Sequence, residues 1–426
     1  MKKIISILVL LVTVSFGAGA QWYLFPLEKA KQKQQEKENA AKTEAAKKAE
    51  AEEPVRELAA PVTVFDAEEL PGMESPEVSD SIEVYAADIP DVINVSLLLP
   101  IQASGKVSSN FLEMYAGAAI AARDLGRQGI KMNLNVHDCV GEKDAITGEM
   151  LAGSDVTIGP VSADQILATL ATGPERGRIV SPLEPKAAAL ADSCNVIQAP
   201  SSWTDQVDGL IAWIKEEYVA GDDVVLVKDT VENSIGEQSA YLLERLQESG
   251  LRYKTTYLAS GVAPSSVGCT RYILASDRDA YIATALRQIS LASMKNKNIR
   301  TCVYLTSRMR SAKGVDQQNL YKAGAKVTAS YYIDYSDEAV KDFILAYRAL
   351  FKDEPASFAF QGYDTVNYFT RMCAKYGRQW YMKLSEAPEF KGLQSNYSFK
   401  ETEMAGQVNR AVKRIVYRPD MSADVQ

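Results

Sequence analysis

Polar and charged residues gather directly behind short apolar runs along this chain. Gln102 and Ser104 follow VINVSLLLP, Ser162 and Asp164 follow VTIGPV, and Glu184 and Lys186 follow RIVSP. Asp229, Thr230 and Glu232 come after DVVLVK, and Asp277, Arg278 and Asp279 come after RYILAS, with Tyr281 just beyond. Ser307 and Arg308 follow CVYLT, and Gln361, Tyr363 and Asp364 open a helix at FAFQGYDTV. Such groups suit the gripping of a small polar solute. Ser162 stands before a helix starting near Ala163, where it reads as an N-cap, and a helix start can receive an anion. Each residue also has a plainer use. Ser162 can be a cap alone, Asp229 and Asp364 can cap helices or fix loops, and Arg278 can pair with Asp277 or Asp279.

The chemistry of catalysis is poorly represented. His137 is the single histidine and ends the run MNLNVHD, the position of a polar strand-end residue bonded to loop backbone. There is no G-x-S-x-G elbow, P-loop, H-E-x-x-H or glycine fingerprint on a first strand–helix turn. Asp277 and Asp279 form a carboxylate pair capable in principle of acid–base work, but adjacent loop acids are usually solvated. Neither a C-x-x-C nor a Cys/His cluster is present, so no metal or cofactor is expected.

The elements that must position these loops are apolar strands alternating with amphipathic helices. VINVSLLLPIQ leads into FLEMYAGAAIAARDLGRQG and then MNLNVHDC, and the pattern continues through KVTASYYIDY, expected as a strand, to the helix DEAVKDFILAYRALF and a long helical stretch over 356–376. Alternation of this kind forces parallel sheets with helices on both faces, and ligands bind such sheets at the carboxyl ends of the strands. The end of the chain differs. NYSFKETE and NRAVKRIVYRPD, separated by a turn, read as an antiparallel pair.

At 426 residues the chain has room for two lobes and extensions, and its 46% hydrophobic content can build their cores. A net charge of −8 argues against nucleic acid as a partner, because that would need a basic face. Met1-Lys2-Lys3, the apolar run Ile4–Val14 and the small residues up to Ala20, with Ala18 and Ala20 in A-x-A spacing, read as a signal peptide over 1–20 cleaved before Gln21. Trp22–Phe25 leaves open an uncleaved anchor as the one membrane contact. Residues 21–56 form a Lys/Glu/Ala-rich helical spacer, and 57–91, free of Lys and Arg, an acidic disordered linker.

Five cysteines (Cys139, Cys194, Cys269, Cys302, Cys373) are few for an exported chain of this length, so the cores must carry its stability. Cys269 precedes RYILAS and Cys302 opens CVYLT. Their sulfurs could meet if those two strands are neighbours.

VSLLLPIQ, Tyr115-Ala-Gly-Ala-Ala-Ile-Ala-Ala, VTIGPVSAD, RIVSPLEP, VIQAPSSWTDQVDGLIAWI, LVKDTVENSIGE and FQGYDTV occur in an order and spacing that resembles the type I periplasmic binding proteins, the leucine/branched-chain amino-acid receptor family. The likeness spans most of Val92–Asp420. It implies an α/β fold of two doubly wound parallel-sheet lobes with a cleft between them. Lobe one would be 92–200 and 335–388, and lobe two 201–334 and 389–420. Amino-acid binders of the family hold the ligand carboxylate with Ser/Thr hydroxyls and helix-end amides, and its ammonium with an acid in lobe two. The matching positions fall near Ala163-Asp164, Pro185, Ser234-Ile235 and Tyr281, so the amino-acid recipe is not preserved.

Two functions follow as expectations. One is a periplasmic solute-binding protein that closes on a small molecule other than a free branched-chain amino acid, with an ABC permease as partner. The other is a regulator or scaffold of cell-wall machinery with the same fold, since an exported module behind a spacer also resembles envelope proteins that join this fold to peptidoglycan-binding repeats. No such repeat is recognisable here. The cleft would be lined by Gln102, Ser104, Ser162, Asp164, Glu184, Asp229, Thr230, Asp277, Arg278, Tyr281 and Tyr363.

Overall fold

The first strand, β1 (Ile93–Leu99), reads INVSLLL and buries all but one of its residues. A strand buried on both faces belongs inside a parallel sheet covered on both sides. In the computed structural model β1 is followed by α1 (Ser109–Arg127) and then β2 (Met132–Asp138), which lies parallel beside it. The structure describes residues 88–426 except 103–104, 140–147, 152, 172–178, 184–189, 192–195, 232–234, 259–263, 265–266, 296–299 and 404–405. All described residues fall in the compact unit that runs from Ala67 onward. The signal peptide, the spacer and residues 57–87 of the linker lie outside them, as do Ser104, Glu184, Lys186, Cys194 and Glu232.

The first sheet continues through α2 (Gly148–Leu151), β3 (Val156–Ile158), α3 (Ala163–Ala171), β4 (Ile179–Ser181) and β5 (Val196–Gln198). The chain then builds a second sheet from α4 (Trp203–Glu217), β6 (Asp223–Lys228), α5 (Glu237–Glu248), β7 (Lys254–Thr256), β8 (Cys269–Ala275), α6 (Asp279–Lys295), β9 (Arg300–Thr306), α7 (Ser307–Arg310), α8 (Gln317–Lys322) and β10 (Ala325–Ala329). It returns to the first lobe with α9 (Glu338–Phe351), α10 (Ser357–Tyr376) and a 3-10 segment (Gly377–Lys383). The last strands are β11 (Phe390–Lys391), β12 (Asn396–Tyr397), β13 (Phe399–Glu401), β14 (Gln407–Asn409), β15 (Lys413–Tyr417) and β16 (Ala423–Val425). Two seven-stranded sheets result, ordered β13-β14-β5-β4-β3-β1-β2 and β16-β15-β10-β9-β8-β6-β7. These are the two doubly wound lobes that the alternating pattern and the family resemblance implied.

The terminal strands correct one expectation. β13 pairs with β14, Phe399 opposite Asn409, and β14 runs parallel to β5 in the first sheet. β15 joins the second sheet, antiparallel to β10 and β16. The segments NYSFKETE and VKRIVYRPD are therefore not partners, and residues 389–409, placed with lobe two above, extend lobe one. The cause is aromatic burial. Tyr397 and Phe399 enter the lobe-one core with Tyr368, Phe369 and Trp380, and the Tyr368 and Tyr397 rings stack 4.7 Å apart. The run KVTASYYIDY is a strand only to Ala329, because residues 330–337 leave the second sheet for the first.

Three described segments cross between the sheets: 199–202, 330–337 and 410–412. The first leaves the carboxyl end of β5 and the second the carboxyl end of β10. The third leaves the carboxyl end of β14, parallel to β5, and enters β15 where that strand meets the carboxyl end of β10. All three crossings thus lie at the carboxyl edges of both sheets, so both rows of strand-end loops face the same crossing zone.

The core of lobe one is closed by α1 against α10. A Cβ on Gly117 would stand 1.8 Å from the Ala359 carbonyl oxygen, and one on Gly362 2.0 Å from that of Met114. The glycines of YAGAAIAA and FQGYDTV therefore set how closely the helices pack. Just before β1, the Asp88 carbonyl accepts from the Arg378 amide at 2.9 Å and its carboxylate pairs with the Arg378 guanidinium at 2.6 Å. The end of the acidic linker is thereby docked on lobe one.

Candidate functional site

On the lobe-one rim, β1 ends in a turn held by Asp138 at the end of β2. Its Oδ1 accepts from the amides of Ile101 at 2.8 Å and Gln102 at 3.2 Å. The Gln102 side chain is exposed at the rim. After β3, Gly159 has φ +92°, and a Cβ there would meet the Leu98 carbonyl oxygen at 2.2 Å, so only glycine lets this loop lie against β1. The loop delivers Ser162 to the start of α3. Ser162 Oγ accepts from the Gln165 amide at 3.3 Å and lies 3.2 Å from Gln165 Oε1, so it is a cap, as read from the sequence. Asp164 is exposed in the first turn of the same helix.

On the lobe-two rim, the end of β6 carries Asp229 and the loop after β8 carries Arg278. Arg278 Nε donates to Asp229 Oδ2 at 2.7 Å and Nη2 to Oδ1 at 3.1 Å. The carboxylate also accepts from Ser276 Oγ at 2.9 Å and the Val231 amide at 3.0 Å. Burial pushes the Asp229 carboxyl up, but Arg278, the Val231 amide and Ser276 outweigh it and hold the group below its usual value. The Asp229 side chain is 0% exposed and that of Arg278 is 45% exposed. Lobe two therefore offers the outside a guanidinium edge and keeps the acid for its own structure. Thr230 next to it is exposed.

Three expected contacts have other roles. Asp277 Oδ2 accepts from the amides of Gly236 at 2.7 Å and Ser239 at 3.2 Å, capping α5. Tyr281 donates to the Lys228 carbonyl at 2.7 Å and also meets the Tyr257 carbonyl. Burial, with Asp229 adding to it, pushes this phenol up to about 12. Its hydroxyl is thus tied to the ends of β6 and β7. Tyr363 lies among α1, α9 and α10, its ring 5.1 Å from Phe343 and its hydroxyl 3.4 Å from Asp124. It packs between helices, whereas Gln361, two residues before it on α10, donates to the Pro182 carbonyl just beyond β4 at 3.1 Å. Arg308, a further candidate, holds Asp279 at 2.9 Å and the Asp277 carbonyl at 2.9 Å.

Asn409, Gln206, Ser330 and Lys413, none of them singled out in the sequence, govern the crossings together with Ser307 and Asp364, which were. Asn409 Nδ2 donates to the carbonyls of Ala199 and Asn396, both at 2.8 Å, and its Oδ1 accepts from the amides of Ser398 and Ala411, both at 3.0 Å. Gln206 Nε2 donates to Ser330 Oγ at 2.8 Å, Ser330 Oγ donates to the Ser201 carbonyl at 2.9 Å, and Gln206 Oε1 accepts from Ser307 Oγ at 2.6 Å. Asp364, fully buried, accepts from the amides of Leu393, Gln394 and Ser395 at 2.8, 2.7 and 2.9 Å. Lys413, at the start of β15, donates to the carbonyls of Gly392 at 3.1 Å and Leu393 at 3.4 Å. A lysine of the second sheet is thereby anchored in a loop that a lobe-one carboxylate organises. Nothing in single polar residues scattered from 201 to 413 signals this assembly before the fold brings them together. Ser181 Oγ, Gln198 Oε1 and Ser201 Oγ, at the ends of β4 and β5 and on the first crossing, are buried without a hydrogen-bond partner among the described residues.

Solved structures similar to this chain include an ABC transporter substrate-binding protein of Desulfitobacterium hafniense in complex with Leu, at 15% identity over 79% of this chain and 100% of that one, with a TM-score of 0.43. A branched-chain amino acid transporter substrate-binding protein of Streptococcus pneumoniae in complex with isoleucine shares 15% identity over 79% of this chain and 99% of that one, TM-score 0.40. A solute-binding protein of an ABC transporter from Rhodopseudomonas palustris in complex with 3,4-dihydroxybenzoic acid shares 11% identity over 77% of this chain and 93% of that one, TM-score 0.41. Neither a protein-family model nor a curated protein matches the chain.

Among the described residues, no group of three His, Cys, Asp or Glu side chains is placed to hold a metal ion, and no helix is long and apolar enough to cross a membrane.

Proposed function

We propose that this protein is an exported solute-binding protein whose two lobes close on a small molecule. The observation that carries the reading is the position of the crossings. Because all three join the carboxyl edges of the two sheets, rotation about them brings the strand-end loops of one lobe toward those of the other. Gln102, Ser162 and Asp164 would meet the solute from lobe one. Arg278, presented by Asp229, and Thr230 would meet it from lobe two. A permease of the ABC type is the natural partner of such a receptor.

The state of Asp229 also bears on ligand class. A carboxylate engaged by Arg278, Ser276 and the Val231 amide has no lone pair to spare for an ammonium. The partly exposed guanidinium beside it suits a carboxylate or another strong acceptor. We therefore read the solute as one that meets lobe two through an acceptor group, and as other than a free branched-chain amino acid. A thermal-shift panel of leucine, isoleucine, valine and ammonium-free organic acids tests this, since a ligand at 100 times its dissociation constant adds about 2.7 kcal/mol. We expect a rise in Tm with a member of the acid set and none with the three amino acids. A rise with leucine alone would overturn the ligand class, and scattering that shows no compaction with any stabilising solute would overturn closure.

A further inference from the structure

At the opposite edge of lobe two from the strand-end loops, Cys269 opens β8 and Cys302 is the third residue of β9. The two strands are parallel neighbours, with Cys269 beside Arg300 and Arg271 beside Cys302. The diagonal between the cysteines brings their sulfurs to 3.8 Å, both as free thiols. We propose that Cys269 and Cys302 are a redox-active dithiol, with Cys269 the attacking and Cys302 the resolving sulfur, which passes by exchange with a small-molecule disulfide into a bridge that staples this edge of the second sheet.

The surroundings divide the roles. Cys302 is buried at 5% exposure, whereas Cys269 is partly exposed at the start of its strand, after Val267, which is 85% exposed. Cys269 is thus the sulfur a solute can reach. The thiol pair sits against a buried cationic group. Arg271 Nη1 lies 3.9 Å from Cys302 Sγ and 2.6 Å from the Tyr304 hydroxyl, and Arg271 Nε pairs with Asp222 at 2.7 Å. Asp222 in turn accepts from the Cys269 amide at 2.8 Å, which fixes the backbone that carries the outer sulfur. Arg300 and Lys326 add positive charge, and Glu217 and Asp222 offset part of it. The hydrogen bond from Cys302, helped by Arg271 and Arg300, holds the Cys269 thiol down to about 7 against the opposing effect of burial. Cys302 is pushed up by its bond to Cys269 and by burial. A nucleophile with a thiol pKa near ambient pH is the efficient attacker in thiol–disulfide exchange.

The step balances without a further reagent. The Cys269 thiolate attacks one sulfur of a disulfide such as oxidised glutathione, the disulfide bond breaks, and one glutathione thiolate leaves and takes a proton from water. Cys302, giving up its proton to water, then attacks Cys269 Sγ and expels the second glutathione. Two cysteine thiols are oxidised and one disulfide is reduced to two thiols. The sulfurs must approach from 3.8 Å to about 2 Å. Diagonal positions on neighbouring strands stand roughly 7–8 Å apart, so closure takes a shift of the first residues of β8 toward β9 as well as rotation of Cys269. The bridge lies at the amino-terminal edge of β8 and β9, away from Arg278 and Ser307, so solute binding should not depend on it.

The full chain, incubated with oxidised glutathione, alkylated and digested without reduction, tests the proposal. We expect a Cys269–Cys302 linked peptide pair, no glutathione retained on the parent protein, and a Tm higher than that of the reduced form by roughly 5 °C. Cys302→Ser should instead trap glutathione on Cys269. Mapping of the parent protein decides the matter even if that variant folds poorly. Both thiols alkylated after oxidation, glutathione persisting on Cys269 of the parent, a link to a different cysteine, or a bridge that leaves Tm unchanged would each overturn the proposal.

Discussion

Asp229 holds Arg278 in a two-point grip, with N–O distances of 2.7 and 3.1 Å, across the ends of two adjacent strands of the second sheet. The acid lies wholly inside and the base partly outside. Removing the acid leaves the guanidinium, the Ser276 hydroxyl and the Val231 amide without their acceptor. We expect Asp229→Ala to cost about 3 kcal/mol in urea unfolding, toward the low end for a broken buried pair because Arg278 can turn to water. Arg278→Ala should cost less but abolish binding of any acidic solute. Equal losses of stability with retained binding would show that the pair is structural only.

Asn409 uses its full hydrogen-bonding capacity at the third crossing, with two donors on the Ala199 and Asn396 carbonyls and its oxygen on the Ser398 and Ala411 amides. Asn409→Ala strips four backbone groups of their partner, three of them in buried bonds. A loss of about 3 kcal/mol is expected, several unmade bonds being partly recovered by water. Asn409→Asp should be no milder, since a carboxylate oxygen would face two carbonyls. Chemical denaturation of the two variants is the check, and a near-neutral Asn409→Asp would contradict this account of the crossing.

Gly362 sits where α10 touches the backbone of α1, with no room for a methyl group beside the Met114 carbonyl. Gly362→Ala should therefore destabilise the protein by about 2–3 kcal/mol, although alanine is the better helix former. Gly126, whose Cβ would meet no atom within 4 Å, is the control, and Gly126→Ala should be neutral or stabilising. Thermal melts showing the two substitutions to be equivalent would refute the close helix approach.

Asp364 carries a pH dependence of defined sign. Burial pushes its carboxyl up to about 6, against the pull of the Ser395, Gln394 and Leu393 amides and of Lys413. The folded protein therefore retains a proton that the unfolded chain releases above about 4. The contribution of this group is fully present below about pH 4 and is lost as pH rises through about 6. Asp229, whose folded value is lowered, acts in the opposite sense in a separate window. Its contribution is present above about pH 4 and is lost as pH falls below it. Asp364→Asn should cost about 2 kcal/mol at neutral pH, because the NH2 group that replaces one oxygen cannot accept from the amides that oxygen serves, and should flatten the stability profile between about pH 4 and 6. An unchanged profile would remove Asp364 as its source.

The sequence alone pointed to parallel strands at β1 and β6, because runs such as SLLL and VVLV leave no polar face to turn toward water; the edge strand β2, which alternates polar and apolar residues, carries no such signal. It located the strand-end loops for the same reason, and it placed Ser162 at a helix start because a hydroxyl before an acidic first turn is a local signal. It also placed Cys269 and Cys302 on strands whose pairing would bring them together. Only the tertiary structure decided how each polar residue is used. Asp229, Asp277, Tyr281 and Tyr363 are of the types that bind ligands, but a neighbour distant in sequence decides whether a side chain is already satisfied. Arg278 claims Asp229 from 49 residues away, the α5 amides claim Asp277, and backbone carbonyls claim Tyr281. The terminal segment shows the same limit. NYSFKE and KRIVY have similar strand character, and burial of Tyr397 and Phe399 against Tyr368 and Trp380 sends the first into one sheet while β10 takes up the second. Local pattern fixes what a segment can become, and the choice among equivalent partners rests on contacts that exist only once both sheets have formed.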